Sequence, residues 1–234
     1  MKKFMIIVAV SVLVSLAFVS IVVHGQATGT NPFLSKITAA VQDVKQNDKI
    51  VATVNGEPIY LSKIASLYLS SKYAYDVQKQ YAGASLLPML VEPDPVRSLD
   101  NTIDSKLLYQ DALDKGYKAD QTYLNSLIES QKKSFYSLLQ GKADANAVPD
   151  ERILFEEFSK AQQDMVNESG LSREGYFEQK YLPELEKAAV VQAMMSDSGA
   201  QATTRESLVK QLRASGKVEI LDIDSVENLK SKTP

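Results

Sequence analysis

Residues 4–23 form an uninterrupted apolar run in which the only polar side chains are three serines. Twenty residues at the helical rise of about 1.5 Å per residue span roughly 30 Å, the thickness of the hydrocarbon core of a bilayer. Lys2 and Lys3 precede the run, and no acidic residue lies within it. By the positive-inside rule, this arrangement predicts a single membrane-spanning helix with a cytoplasmic N-terminus and the rest of the chain outside.

A cleavable signal peptide is the alternative interpretation of the same segment. Signal peptides usually have a shorter apolar core of about 7–15 residues, followed by small residues at the cleavage site. The two candidate cleavage sites match this pattern only in part: Val23-His24-Gly25 precedes Gln26, and Gly25-Gln26-Ala27 precedes Thr28. We therefore expect residues 1–25 to be a signal anchor or signal peptide and residues 26–35 to be a linker. The rest is expected to be extracytoplasmic, either anchored in the cell membrane or secreted if the leader is cleaved.

The reactive side chains of the chain are few. There is no cysteine, and the one histidine is His24, at the expected membrane boundary. Disulfides, thiolate metal sites, cysteine nucleophiles and histidine-based triads are thereby excluded. No glycine-rich phosphate loop is present either. We therefore expect no enzyme activity, no metal and no cofactor.

Charge and composition limit the partners. The chain has 26 basic and 29 acidic residues, which gives a net charge of −3. Nucleic-acid binding depends on clustered positive charge, so we expect no nucleic-acid partner. With 44% apolar and 24% charged residues, the composition is that of a globular protein.

Apolar residues recur at helical spacing over most of residues 36–223, which predicts a mainly α domain. Ser62, Asp120 and Ser172 are expected helix N-caps, and residues 203–206 match a capping box. Pro183 is expected to kink or split a helix because proline removes a backbone donor. The predicted helices cover approximately residues 37–48, 62–83, 96–115, 120–141, 150–170, 172–195 and 203–216.

Three short strands are also predicted. Residues 50–54 and 57–60 flank Asn55-Gly56, the dipeptide typical of a tight hairpin turn. Pro58 cannot donate to a ladder, which places its strand at an edge. Residues 218–221 are expected to join the hairpin, since a two-stranded hairpin alone is marginally stable. The polar residues 224–234 are expected to form a flexible tail.

Tyrosine, methionine and leucine side chains are the candidate contacts for a polypeptide. Residues 83–95 are apolar but broken by prolines, which is typical of a packed or partner-binding loop. Tyrosine offers apolar area and a hydroxyl at low entropic cost, although core packing is the alternative role of each such residue. The candidate peptide-binding residues are Tyr68, Tyr75, Met89, Leu90, Phe135 and Tyr136.

Four segments resemble one family of exported proteins. Residues 49–59, with the sequence KIVATVNGEPI, resemble the opening of the SurA N-terminal chaperone domain, which also occurs in PrsA-type and PpiD-type foldases. Residues 99–120, with KLL and a later glycine, are similar to a helix of that domain and to the start of its next helix. Residues 170–195 and 208–221 resemble its closing helices and returning strand.

The resemblance implies a SurA/trigger-factor-like helical peptide-binding chaperone domain with a small β-hairpin joined by a C-terminal strand. These foldases usually carry a parvulin prolyl-isomerase domain before the returning helix. Here the corresponding gap is only residues 196–202, so isomerase activity does not carry over. The lipid-anchoring cysteine of PrsA-type proteins is absent, and the apolar N-terminus is closer to the PpiD arrangement.

Two functions are compatible with these features. The first is a membrane-anchored extracytoplasmic chaperone or holdase that binds unfolded or exported polypeptides through apolar and aromatic surface, without catalysis or ATP. The second is a non-catalytic scaffold that holds one dedicated envelope partner.

Overall fold

The computed structural model describes residues 32–81, 90–141, 149–197 and 204–233. The expectation of a mainly α fold with a small three-stranded sheet is confirmed. The predicted anchor, residues 1–25, lies outside the described residues. The elements in chain order are α1 Pro32–Gln46, β1 Ile50–Val54, β2 Glu57–Tyr60, α2 Leu61–Tyr81, α3 Pro95–Asp114, α4 Gln121–Gln140, α5 Pro149–Glu168, α6 Arg173–Lys180, α7 Leu182–Asp197, α8 Arg205–Ser215, β3 Val218–Ile220, α9 Ile223–Glu227 and a 3₁₀ helix Asn228–Lys232.

The sheet has the strand order β2-β1-β3, and both pairings are antiparallel. Asn55 and Gly56 have φ values of 50° and 83°, the backbone that a type I′ hairpin turn requires. Pro58 pairs with Thr53 on the edge strand β2. The predicted hairpin, the edge position of Pro58 and the pairing of the C-terminal strand with β1 are therefore confirmed.

The predicted cap of α2 is wrong. Helix α2 begins at Leu61, and Ser62 lies inside its first turn. The carboxylate of Asp48 accepts a hydrogen bond from the Ser62 backbone N–H at 3.0 Å and another from the Ser62 hydroxyl at 2.6 Å. The hairpin returns the chain to the end of α1. Asp48, 14 positions before Ser62, can therefore accept the hydrogen bond of a backbone N–H that has no acceptor within the first turn of α2.

Two of the other predicted caps are confirmed and one is shifted. The side chains of Asp120 and Ser172 each accept a hydrogen bond from the backbone N–H three residues later. Helix α8 is capped by Thr204, one residue after the predicted Thr203, which lies outside the described residues. The later start displaces Glu206 from the position that a capping box needs.

The helix expected around Pro183 is split in two. Helix α6 ends at Lys180, and α7 begins at Leu182 with Pro183 as its second residue. Proline is tolerated in the first turn of a helix because the N–H groups there have no intrahelical acceptor. The proline therefore marks the start of α7.

Most of the described elements share one hydrophobic core. It joins α1, β1, α2, α3, α4, α5 and α6, together with residues from α7, α9 and the C-terminal 3₁₀ helix. A smaller cluster of Leu108, Ala112, Val190 and Met194 lies between α3 and α7, with partly buried residues of α8 packed on it. The core therefore contains residues from both ends of the described chain.

Both domain boundaries differ from the expected ones. The expected linker ran to residue 35, but α1 begins at Pro32, because proline favours the first position of a helix. The expected flexible tail is folded: Val226 and Leu229 are 0% and 1% exposed. Two apolar residues among polar neighbours give little periodic signal, so their burial did not emerge from the sequence pattern.

Candidate polypeptide-binding surface

The small sheet packs one face on the core and leaves the other open. Ala52, Val54 and Ile59 are buried, and they lie on the same side because side chains of a strand alternate and opposed residues share a face. Thr53, between two of these residues, and its cross-strand partner Glu219 therefore lie on the opposite side. Thr53 is half-buried and Glu219 is exposed, so this second face is open in the described part of the chain.

Four exposed apolar side chains lie at the end of the sheet away from the hairpin turn, and we call them the sheet patch: Ile50, Tyr60, Ile220 and Leu221. Their exposed fractions are 40%, 46%, 51% and 55%. Ile220 is opposite Ala52 and so lies on the core-facing side of the sheet, but it is exposed at the outer edge. Ile50 and Tyr60 are cross-strand partners, and the Leu221 backbone N–H donates to the Val51 carbonyl at 2.9 Å. The four residues thus come from three neighbouring strands or strand ends.

A β-bulge accounts for the exposure of Ile50. The register of β1 against β2 shifts between Ile50 and Ala52. Val51 and Ala52 are consecutive, yet both are fully buried. Because the bulge interrupts the alternation of the strand, Ile50 is left on the open side.

The outer edge of β3 is unpaired in the part of the chain that the structure describes. Asn55 N–H donates to the Lys217 carbonyl at 2.8 Å, and Leu221 N–H donates to the Val51 carbonyl. The antiparallel register then makes Thr53 and Glu219 the hydrogen-bonded pair between these two contacts. The backbone groups of Val218 and Ile220 consequently point away from the sheet.

One ion pair lies next to the sheet patch, and a second lies at the hairpin end of the sheet. Lys49 lies 2.7 Å from Asp222, and Lys106 lies 2.5 Å from Glu57. The hydrogen bond from Lys49 lowers the pKa of Asp222, and that from Lys106 lowers the pKa of Glu57. Both carboxylates therefore stay ionised around neutral pH, and the pair of Lys49 with Asp222 gives the sheet patch a charged neighbour.

Two of the predicted contact residues are core residues. Tyr68 is 3% exposed and Phe135 is fully buried. The Phe135 ring lies 5.3 Å from the Tyr181 ring and 5.6 Å from the Phe177 ring, between centroids. Neither Tyr68 nor Phe135 is placed to touch a polypeptide at the surface in this conformation.

Two others are partly buried and already have partners. The Tyr75 ring has Lys72 Nζ at 5.1 Å and Lys79 Nζ at 5.7 Å from its centroid. The Tyr136 hydroxyl donates to Glu174 Oε1 at 2.9 Å. Burial, together with this hydrogen bond, raises the pKa of Tyr136. Both rings are therefore engaged within the protein.

The last two predicted residues lie before α3. Leu90 is half-buried, and Met89 lies outside the described residues. The described members of the predicted set thus lie on α2, on α4 and in the segment before α3, and two of them, Tyr68 and Phe135, are buried. The sheet patch was missed because apolar residues in a short strand are normally expected to face the core.

An open cleft of about 430 Å³ lies between the start of α4 and the end of α7. The Tyr117 hydroxyl donates to Asp197 Oδ2 at 2.9 Å, and this contact raises the pKa of Tyr117. Two carboxylates suit a cationic group better than an apolar side chain. The lining residues are Asp120, Tyr123, Gln192, Ala193, Ser196 and Asp197.

Among the described residues, no three side chains of histidine, cysteine, aspartate or glutamate come together in a group that could hold a metal ion. None of the helices in the described ranges has the length and hydropathy needed to cross a bilayer.

Comparison with known proteins gives no relative: no family model, no curated protein and no solved structure matches this chain.

Proposed function

We propose that this protein is a membrane-anchored extracytoplasmic chaperone or holdase that binds unfolded or exported polypeptides without catalysis. The observation that carries the proposal is the sheet patch, four exposed apolar side chains at one end of the small sheet. Contiguous exposed apolar surface on a soluble domain is typical of an interaction site. The resemblance of residues 49–59 and 99–120 to the SurA-type chaperone domain supports the same function.

The energetics favour weak and sequence-tolerant binding. Burial of apolar surface contributes roughly 25 cal/mol per Å², so a few hundred Å² contributes several kcal/mol. The entropy lost on association and on ordering of side chains offsets much of this favourable free energy. A patch of this size therefore suits transient capture of a client.

The membrane anchor and the export belong to the same proposal. The apolar run at residues 4–23, preceded by Lys2 and Lys3, supports a single N-terminal span with the described domain outside the cytoplasm. An anchored holdase would meet its clients where they emerge from the membrane.

The test uses the full chain in detergent micelles and two unrelated denatured proteins. We expect the wild type to suppress the aggregation of both clients at near-stoichiometric ratios, measured by light scattering. The double variant Tyr60→Ser/Leu221→Ser removes apolar side chains that are 46% and 55% exposed, so it should fold normally and lose most of the suppression.

The matched control is Ile153→Ser, which removes a 40% exposed side chain from α5. This variant should keep wild-type suppression. Equal loss in the control and the double variant, or no loss in either, contradicts the role of the sheet patch. A wild type that ignores both clients contradicts the holdase and favours a scaffold for one partner.

A further inference from the structure

We infer that the free edge of β3 takes up a segment of the client as an added strand, with a basic client residue opposite Glu219. This inference rests on the proposed function and names how the polypeptide is held.

The backbone groups of β3 that point outward are the first reason to expect an added strand. Val218 and Ile220 direct their N–H and C=O groups away from β1, and nothing in the described ranges bonds to them. An extended backbone is the partner that satisfies such a row of groups regardless of its sequence. That property matches a protein that must bind many clients.

The opposite edge of the sheet is closed to the same addition. Pro58 occupies the middle of β2 and has no N–H to offer an incoming strand. The chain also turns directly from β2 into α2 at Leu61. Strand addition is therefore directed to β3.

The neighbouring helices limit the length of the added segment. Helix α8 ends at Ser215 and α9 begins at Ile223, which leaves at most residues 217–222, with β3 at their centre, for pairing with an added strand. At about 3.3 Å per residue, this stretch is roughly 20 Å long. It accommodates a client segment of about five or six residues.

The side chains of β3 determine which client residues fit best in the added strand. Glu219 lies on the open face beside Leu221, is exposed, and forms no ion pair with any described residue. Opposite charges at directly opposed cross-strand positions are favourable, and like charges are unfavourable. A lysine or arginine opposite Glu219, with apolar residues opposite Ile220 and Leu221, is the best match.

The same rule argues against a second copy of the chain as the occupant. A two-fold pairing of β3 with itself centred on Glu219 places two carboxylates directly opposite each other. A client segment with a basic residue has no such conflict.

The primary test is amide hydrogen exchange of the full chain in micelles, with and without a seven-residue peptide. The peptide alternates threonine and valine around a central lysine, and the control peptide has glutamate at the centre. We expect the peptide to slow exchange at Val218 and Ile220. The amide of Glu219 already points to Thr53 and should change little.

Variants of β3 separate the contribution of the backbone to peptide binding from that of the side chains. Ile220→Pro removes an N–H that points outward, so it should preserve the pairing with β1 and weaken peptide binding about tenfold. Ile220→Ala keeps the N–H and should cost no more than about threefold. Glu219→Lys should reverse the preference, which we expect to be roughly two- to fivefold for the lysine peptide in the wild type.

The outcomes are distinguishable. Peptide binding with unchanged exchange at Val218 and Ile220, or equal affinity of Ile220→Pro and wild type, overturns strand addition and leaves the holdase intact. Dimers that Ile220→Pro abolishes would assign the edge to a second copy and also overturn it. Failure to suppress the aggregation of any client would refute the proposed function itself.

Discussion

Asn55 joins three parts of the structure through one short side chain. Its backbone adopts φ 50° in the hairpin turn. Its Nδ2 donates to Gln110 Oε1 at 3.0 Å on α3, and its Oδ1 accepts from the Lys217 backbone N–H at 3.0 Å. Asparagine tolerates this left-handed backbone and also supplies a donor and an acceptor, a combination that glycine and alanine lack.

Substitutions at Asn55 should therefore separate the contribution of its side-chain hydrogen bonds to stability from that of its left-handed backbone. Asn55→Gly keeps the backbone conformation and loses two exposed hydrogen bonds, so we expect a loss of about 1 kcal/mol in unfolding free energy. Asn55→Ala also adds backbone strain and should lose about 2–3 kcal/mol. Urea unfolding followed by circular dichroism measures both values. Equal losses in the two variants would show that the turn backbone contributes nothing.

Helix α8 shows how an element without buried residues is held in place. None of its side chains is fully buried, although Leu212 packs against the core. Arg213 fixes the helix to α3: its Nε lies 2.6 Å from Asp104 Oδ1, and its Nη2 lies 3.0 Å from Asp100 Oδ1. These carboxylates raise the pKa of the guanidinium, although partial burial acts in the opposite direction.

A lysine in place of Arg213 keeps the charge but loses the planar fork that reaches both carboxylates. We expect Arg213→Lys to cost about 1 kcal/mol, since the group is partly exposed. Amide exchange in α8 should accelerate, while exchange in α4 stays the same. The control is Arg205→Lys, an exposed residue of the same helix. Equal acceleration in the control would mean that the fork does not hold α8.

At the scale of the whole molecule, the C-terminal segment closes the fold. Val226 and Leu229 enter the main core. Lys230 lies 2.6 Å from Asp94, which caps α3, and Lys232 pairs with Asp43 on α1. The last described residues therefore tie together helices that are far apart in the sequence.

Alanine substitutions of two leucines eight positions apart test whether the C-terminal segment stabilises the fold. Leu229 is 1% exposed, so Leu229→Ala should cost about 2–4 kcal/mol through lost burial and a cavity. Leu221 is 55% exposed, and Leu221→Ala should change the stability by less than about 0.5 kcal/mol. Thermal and urea unfolding of both variants measure the difference. A stable Leu229→Ala variant would mean that the C-terminal segment is dispensable.

Local chemistry made much of this structure predictable from the sequence. The Asn55-Gly56 turn, the caps at Asp120 and Ser172, the split at Pro183 and the helical periodicity depend on residues within a few positions of each other. Backbone preference and side-chain spacing act at that range, so the sequence alone determined the helices, the hairpin and the mainly α class.

Only the tertiary structure decided which surfaces are free. The bond from Ser62 to Asp48, the burial of Leu229 and the exposure of Ile50 each depend on contacts between distant segments. An apolar residue in a short strand has the same local pattern whether a helix covers it or solvent does. The position of the sheet patch therefore follows from packing, which buries Ala52, Val54 and Ile59 and leaves Ile50, Tyr60 and Leu221 exposed.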